Sequence, residues 1–254
     1  MRIRSRTAAA AAVACLGLLI AGTAVKAADI ALMTTAAVEQ IMRGLIPPFE
    51  RASGHTVTMS VFGTGPAVAR IKEGTFADLI LLGPDALNEL AAAGKVNAGT
   101  ITPAFNSRIG LAVRAGAEKP DIGTADALRQ TLLDAKSIGH SIGPSGEHFS
   151  NVIMVRLGIA DQIKPKVTVV RGMPVAAAVA KGDVEIGIHQ IAELMQVPGI
   201  DIVGDLPAGL NKTIVYATGL TTMARQPDAA RELVKYLSLP GSVPVIRKNG
   251  MDPA

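Results

Sequence analysis

Three short loops in this chain gather hydroxyls and glycines where an apolar run gives way to a helical pattern. Thr34 and Thr35 follow the apolar run 30–33. Gly63, Thr64, Gly65 and Pro66 follow the run 56–62, and Gly143, Pro144, Ser145, Gly146, Glu147 and His148 follow 137–142. A hydroxyl at such a junction can bond an anion while the free N–H groups of the helix start point at the same spot. Glycine lets those N–H groups come close to a ligand, and Pro66 suits a first helical turn. The chemistry on offer is anion capture by neutral donors. Each loop also has a plainer use. Thr34 or Thr35 can be an N-cap, 63–66 a simple turn, and Ser145 an N-cap with Glu147 favourably charged in the first turn.

Three more side chains join the set. His189 and Gln190 directly follow the apolar run 184–188, and side chains at a strand's carboxyl end face the cleft of an open α/β sheet. Arg108, near the point where the rhythm of elements restarts, is the cation best able to pair with a carboxylate. His148 can donate to the same anion as Ser145 and Gly146. If the site moved protons, His148, His189 and Glu147 are the groups able to act as acid and base. The four histidines show no metal-ligand spacing such as HxxxH, no Gly-Lys-Ser/Thr follows the 63–66 loop, and GxSxG is absent. The expectation is therefore no metal and no cofactor.

These residues need a layered scaffold, and the pattern supplies one. Strands are expected at 30–33, 56–62, 79–82, 109–113, 137–142, 166–170 and 214–220. Helices are expected at 67–72, 85–93, 125–135 with Thr124 as cap, 149–157 and 228–239. A longer helix over 36–53 places Val38, Ile41, Met42, Leu45 and Phe49 on one face, with Pro47 and Pro48 kinking or interrupting it and Gly54 ending it. Such alternation predicts α/β layers with mostly parallel sheets. One internal echo supports two lobes of similar plan. Residues 66–90 run helix, Lys-plus-Gly stop, Asp78, apolar strand, helix; residues 174–194 repeat that order with Glu185 as the acid.

The N-terminal 27 residues read as an export signal. Arg2, Arg4 and Arg6 precede an apolar, alanine-rich stretch, and Val25 and Ala27 suit cleavage after Ala27. The stretch is too short and too alanine-rich for a membrane span, and the residues before Cys15 do not suit lipidation. The whole chain has 25 basic and 21 acidic residues. Four of the basic ones fall in the signal, so the mature chain carries 21 of each and no net charge. Neither nucleic acid nor an anionic membrane is favoured as a partner. Trp is absent, which argues against stacking platforms for bases or sugars. Cys15 leaves with the signal, so no disulfide can form.

The signal, the Thr34-Thr35 turn, Gly63-Thr64-Gly65 and the segment 77–82 resemble molybdate-type periplasmic binding proteins, the substrate-binding subunits of ABC importers. Segments 132–138, 185–187, 190–194, 197–199, 203–207 and 248–253 are similar to a narrower subgroup that also contains periplasmic aconitate isomerases. The resemblance implies a two-lobed type II fold with two chain crossovers: lobe one from 28–106 plus 215–254, lobe two from 107–214. It implies a periplasmic monomer that closes on a small anion, an organic polycarboxylate or a molybdate-like oxyanion, and hands it to an ABC membrane permease. The alternative it carries is an isomerase. Molybdate binders place a tyrosine in the second lobe's strand-end loop, where this chain has His189 and Gln190. With Tyr216 and Tyr236 expected elsewhere, an organic acid is favoured over molybdate.

Overall fold

The computed structural model describes residues 27–254. The expected signal lies outside the described residues, apart from Ala27. The chain builds two sheets with helices around them. The first is assembled from β1 (Asp29–Thr34), β2 (Thr56–Val61), β3 (Leu79–Leu82), β4 (Thr102–Ser107), β10 (Ile214–Leu220) and β11 (Met251–Pro253), in the order β11-β4-β10-β3-β1-β2. The second contains β5 (Ile109–Arg114), β6 (Ile138–His140), β7 (Val167–Val169), β8 (Ile186–Gln190) and β9 (Ile200–Asp205), in the order β7-β6-β8-β5-β9. Each sheet is mixed. β1, β2 and β3 pair in parallel, as do β6, β7 and β8, whereas β4, β10 and β11, and β5 and β9, run antiparallel to their neighbours. β4, β9 and β11 have no counterpart among the expected strands. β4 carries Pro103 and β9 carries Gly204, both poor strand formers.

The helices follow from apolar stripes. α1 (Ala36–Ser53) buries Val38, Ile41, Met42, Leu45 and Phe49 on one face. It continues without interruption through Pro47 and Pro48, where the pattern suggested a kink or an interruption. The burial of Leu45, Ile46 and Phe49 on the flanking turns outweighs the two missing backbone bonds. Gly54 ends the helix at φ 74°, and its N–H caps the carbonyl of Glu50. α2 (Thr64–Lys72), α3 (Pro84–Ala92), α4 (Ala125–Asp134) and α5 (Pro144–His148) come next. A wide turn over Phe149–Ile153 joins α5 to α6 (Met154–Arg156). α7 (Ala160–Ile163), α8 (Val175–Lys181), α9 (Ile191–Leu194), α10 (Pro227–Leu237) and α11 (Val243–Lys248) complete the set. Thr124 caps α4 as expected, accepting from Ala127 N–H at 3.1 Å.

The chain passes between the sheets through Arg108 alone on the way out and through residues 206–213 on the return. Asn211 ties these two passages together. Its Oδ1 accepts from Ile109 N–H at 3.0 Å, and its Nδ2 donates to the Ile109 carbonyl at 2.9 Å and the Leu206 carbonyl at 3.2 Å.

The repeated acids of the internal echo have one structural job. Asp78 is fully buried before β3, and its Oδ2 accepts from Ala31 N–H in β1 at 2.9 Å. Glu185, before β8, accepts from Lys136 N–H at the entrance to β6. In each lobe an acid at the foot of the central strand holds the start of the adjacent parallel strand. Asp78 Oδ1 also accepts from Arg225 N–H at 2.6 Å and Gln226 N–H at 2.9 Å, which fixes the entry to α10. Truncating Asp78 would strand three backbone donors, two of them in one turn. Asp78→Ala is therefore expected to lose at least about 3 kcal/mol in urea unfolding, and a loss under about 1 kcal/mol would refute this role.

Candidate functional site

The carboxyl ends of the parallel strands of both sheets face one another across a cleft. Two adjoining cavities of ≈ 270 and ≈ 290 Å³ lie there and share Ala36, Ser141, His189 and Glu193 as walls. The first is lined from lobe one by Thr35, Ala36 and Ala37 at the start of α1, by Gly63 and Thr64 at the start of α2, and by Tyr216. From lobe two it receives Ser141, Gly143 and Pro144 after β6, and His189, Gln190 and Glu193 at the β8–α9 junction. The second extends toward Met173, Pro174 and Val175 at the start of α8. Among the described residues no lysine or arginine lines either cavity. Helix N-termini supply the positive field instead.

Thr34 and Thr35 divide the work. Thr34 is fully buried, and its hydroxyl donates to the Leu81 carbonyl at 3.0 Å, so it braces β1 against β3. Thr35 is the N-cap of α1 in extended conformation, yet its hydroxyl makes no cap bond. Its Oγ1 and Ser107 Oγ are the buried side-chain oxygens without a hydrogen-bond partner among the described residues. A buried polar atom left unsatisfied is costly, and this one sits at the mouth of an 18-residue helix beside the cavity.

Lobe two presents a polar chain. Tyr216 OH, from β10 of lobe one, donates to Gln190 Oε1 at 3.0 Å, and Gln190 Nε2 donates to Glu193 Oε1 at 2.9 Å. Glu193 Oε2 stands 3.6 Å from His189 Nε2. Burial pushes the His189 imidazole down to about 4, with His140 nearby adding to the effect. Burial pushes the Glu193 carboxyl up to about 7. Tyr216 is raised by burial and by Glu193, against the bond to Gln190. His140 is lowered by burial, opposed by its bond to the Ser141 carbonyl.

Several expected site residues lie elsewhere. Arg108 is exposed at the crossover and pairs with Asp205 and Asp252, so it staples the passage between lobes and does not face the cleft. His148 donates Nε2–H to the Leu210 carbonyl at 2.8 Å, which ties α5 to the return crossover. Glu147 is exposed, and neither cavity includes it. Ser145 is fully buried and bonds Ser141 Oγ at 3.2 Å, one step behind the cleft wall. Gly146 is a packing residue. A Cβ there would lie 1.7 Å from the Ser141 carbonyl oxygen and 2.5 Å from His140 Nδ1. Gly65 is exposed and lines a separate groove between α2 and α3. Thr35, Thr64, His189 and Gln190 are the expected residues that the fold brings together at the cleft.

The sequence reading passed over Glu193, Ser141 and Tyr216. Glu193 was visible only as part of a segment resembling a family, since an acid one turn into a helix reads as ordinary. Tyr216 had been placed away from the site, but β10 carries it across to Gln190. The larger cavity of ≈ 620 Å³ lies at the opposite ends of the lobe-two strands, near Arg114, Lys136 and Gly182. Mixed charges and the carboxyl ends of α4 and α8 border it, a poor field for an anion.

The sequence pattern of the family described as bacterial extracellular solute-binding protein matches residues 30–252. A protein named aconitate isomerase from Pseudomonas sp is 32% identical over 245 residues, covering 93% of this chain and 94% of that relative. A molybdate-binding protein, ModA of Azotobacter vinelandii, is 26% identical over 250 residues, covering 94% and 95%. The solved Azotobacter vinelandii periplasmic molybdate-binding protein superposes with a TM-score of 0.69 at 19% identity, covering 87% of this chain and 98% of that one.

The two threonines yield a paired test. Thr35→Val removes a buried oxygen that bonds nothing, so the ligand-free protein should keep or gain stability. Thr34→Val strands the bond to Leu81 and should lose about 1 kcal/mol. Thermal unfolding of both variants checks this, and a Thr35→Val that melts well below Thr34→Val would contradict it.

Proposed function

This chain belongs to the bacterial extracellular solute-binding proteins, and from that premise we propose that its cleft closes on a small organic polycarboxylate. The observation that carries this reading is Thr35 at the start of α1, a cleft-lining residue whose buried hydroxyl has no partner, in a cleft that no lysine or arginine among the described residues lines. Hydroxyls of Thr35, Thr64 and Ser141 and the first N–H groups of α1 and α2 would hold one carboxylate. The donors around His189 would hold another. Two adjoining cavities of ≈ 270 and ≈ 290 Å³ offer more room than a single tetrahedral oxyanion fills. The name of the aconitate isomerase relative points the same way. Tyr216 lines the cleft, so the preference over molybdate rests on room and on Glu193.

Delivery to an ABC membrane permease, by a monomer acting in the periplasm, completes the proposal. Among the described residues no helix is long and apolar enough to cross a membrane. Cleavage after Ala27 should leave Ala28 as the mature N-terminus, which intact mass of the protein recovered from the cell envelope checks. An acylated species beginning at Cys15 would contradict it.

The geometry of Glu193 favours a second reading, an isomerase of the aconitate type. A carboxyl that titrates near neutral pH can both take and return a proton. Glu193 as carboxylate would remove a proton from the saturated carbon, and that C–H electron pair would form the new double bond. The former π pair would then take the proton back from Glu193 at the far carbon. Of the three groups the sequence suggested, His189 keeps its place in this reading and Glu193 stands in for Glu147 and His148.

A thermal-shift panel separates the ligands. Citrate or trans-aconitate should raise the melting temperature more than molybdate, tungstate or sulfate, because a ligand that binds only the native state must stabilise it. Submicromolar molybdate binding with no response to polycarboxylates would refute the proposal. Incubation with cis-aconitate, followed by proton NMR, separates binder from enzyme. Binding alone predicts no trans isomer beyond a protein-free control, whereas turnover proportional to protein and lost in Glu193→Gln would establish the second reading.

A further inference from the structure

Glu193 poses an electrostatic difficulty for any anion in this cleft. As a carboxylate it would repel the ligand, and among the described residues no lysine or arginine lines the cavities to offset it. Its two oxygens are not equivalent. Oε1 accepts from Gln190 Nε2 at 2.9 Å, whereas Oε2 lies 3.6 Å from His189 Nε2, too long for a hydrogen bond. The backbone N–H of Gln190 donates to His189 Nδ1 at 2.7 Å, so a neutral His189 carries its proton on Nε2. Two groups aimed into the same space and unbonded to each other can share one acceptor atom seated between them. That atom is welcome only if Glu193 is also a donor.

We propose that Glu193 meets the ligand as a neutral acid, its Oε2–H and His189 Nε2–H sharing one anionic oxygen, so that in alkaline solution each captured anion brings a proton with it. The inference rests on the reading of the cleft as a polycarboxylate site and adds to it a proton-linked specificity device. An amide in place of Glu193 would serve equally at every pH, whereas the acid makes capture weaken as the solution turns alkaline.

The surroundings of Glu193 hold few other charges. β8 presents His189, with His140 on β6 behind it, and β10 presents Tyr216. α1 offers Ala36, α8 offers Val175 and Ala176, and the start of α2 offers Thr64, none of them charged. Burial already lifts Glu193 to about 7 and holds His189 neutral, with its value at about 4. The Glu193 side chain keeps 31% exposure and lines both cavities, so a ligand seated there would strip more water from it and raise it further.

Titration calorimetry of the mature protein with trans-aconitate, in two buffers of different ionisation enthalpy, counts the protons taken up. Wild type should take up nearly one proton per anion at about pH 8 and little at about pH 6, with affinity falling toward tenfold per unit of pH above neutral. Glu193→Gln should bind with no proton uptake and a flat profile over the same range. Binding by wild type without proton uptake at the alkaline pH overturns this proposal and leaves the polycarboxylate reading standing. No binding of trans-aconitate at either pH overturns both. The wild-type measurement decides the matter even if the variant fails to fold.

Discussion

An anion held without a cation, as proposed for this cleft, would need every available donor turned toward it, and the architecture suits that electrostatic requirement. In both lobes the parallel strands β1 and β2, and β6 and β8, deliver their carboxyl ends to the same cleft, where the helices that follow begin. The N–H groups of those first turns have no partner within their own helices. The α1 start is the strongest contributor, with the longest helix behind it and a hydroxyl that bonds nothing in the protein. Cations are kept for structure: Arg108 staples the crossover to Asp205 and Asp252.

The polar chain across lobe two converts this field into selectivity. Tyr216 reaches from lobe one to Gln190 in lobe two, and Gln196 Nε2 reaches back to the Ala36 carbonyl at 3.4 Å, so bonds between lobes border the site. Burial drives the values of Glu193 and His189 in opposite directions, each toward its uncharged form. A site of neutral donors would therefore arise, on the proposed reading, from two residues that are charged partners in water. The same arrangement suits capture of an anion and the return of a proton to a carbon. Binding and isomerisation can thus share one scaffold with small changes.

Much of this fold was legible in the sequence because its cause is local. The stripe of Val38, Ile41, Met42, Leu45 and Phe49 specifies α1, and the run 79–82, apolar at every position, specifies a strand covered on both faces. The matching acids Asp78 and Glu185 announced two lobes of one plan, and each holds the start of a neighbouring strand. Thr35, Thr64, His189 and Gln190 were recognisable because strand-to-helix junctions carry a direct geometric meaning. Arg108, His148 and Glu147 misled because their side-chain types suit the chemistry, while their partners, Asp205, Asp252 and the Leu210 carbonyl, are distant in sequence. Tyr216 and Glu193 were hidden for the converse reason. Nothing local marks a tyrosine in an antiparallel strand or a glutamate in a short helix as a cleft residue; only the closure of β10 and α9 around one space does so.

Backbone amide chemical-shift mapping locates the ligand without any substitution. With trans-aconitate titrated into the labelled mature protein, the amides of Ala36, Ala37, Thr64, Gln190 and Glu193 should move together with one dissociation constant. Shifts confined to the cavity around Arg114 and Gly182, with the α1 start unmoved, would show that the anion is held elsewhere and by different means.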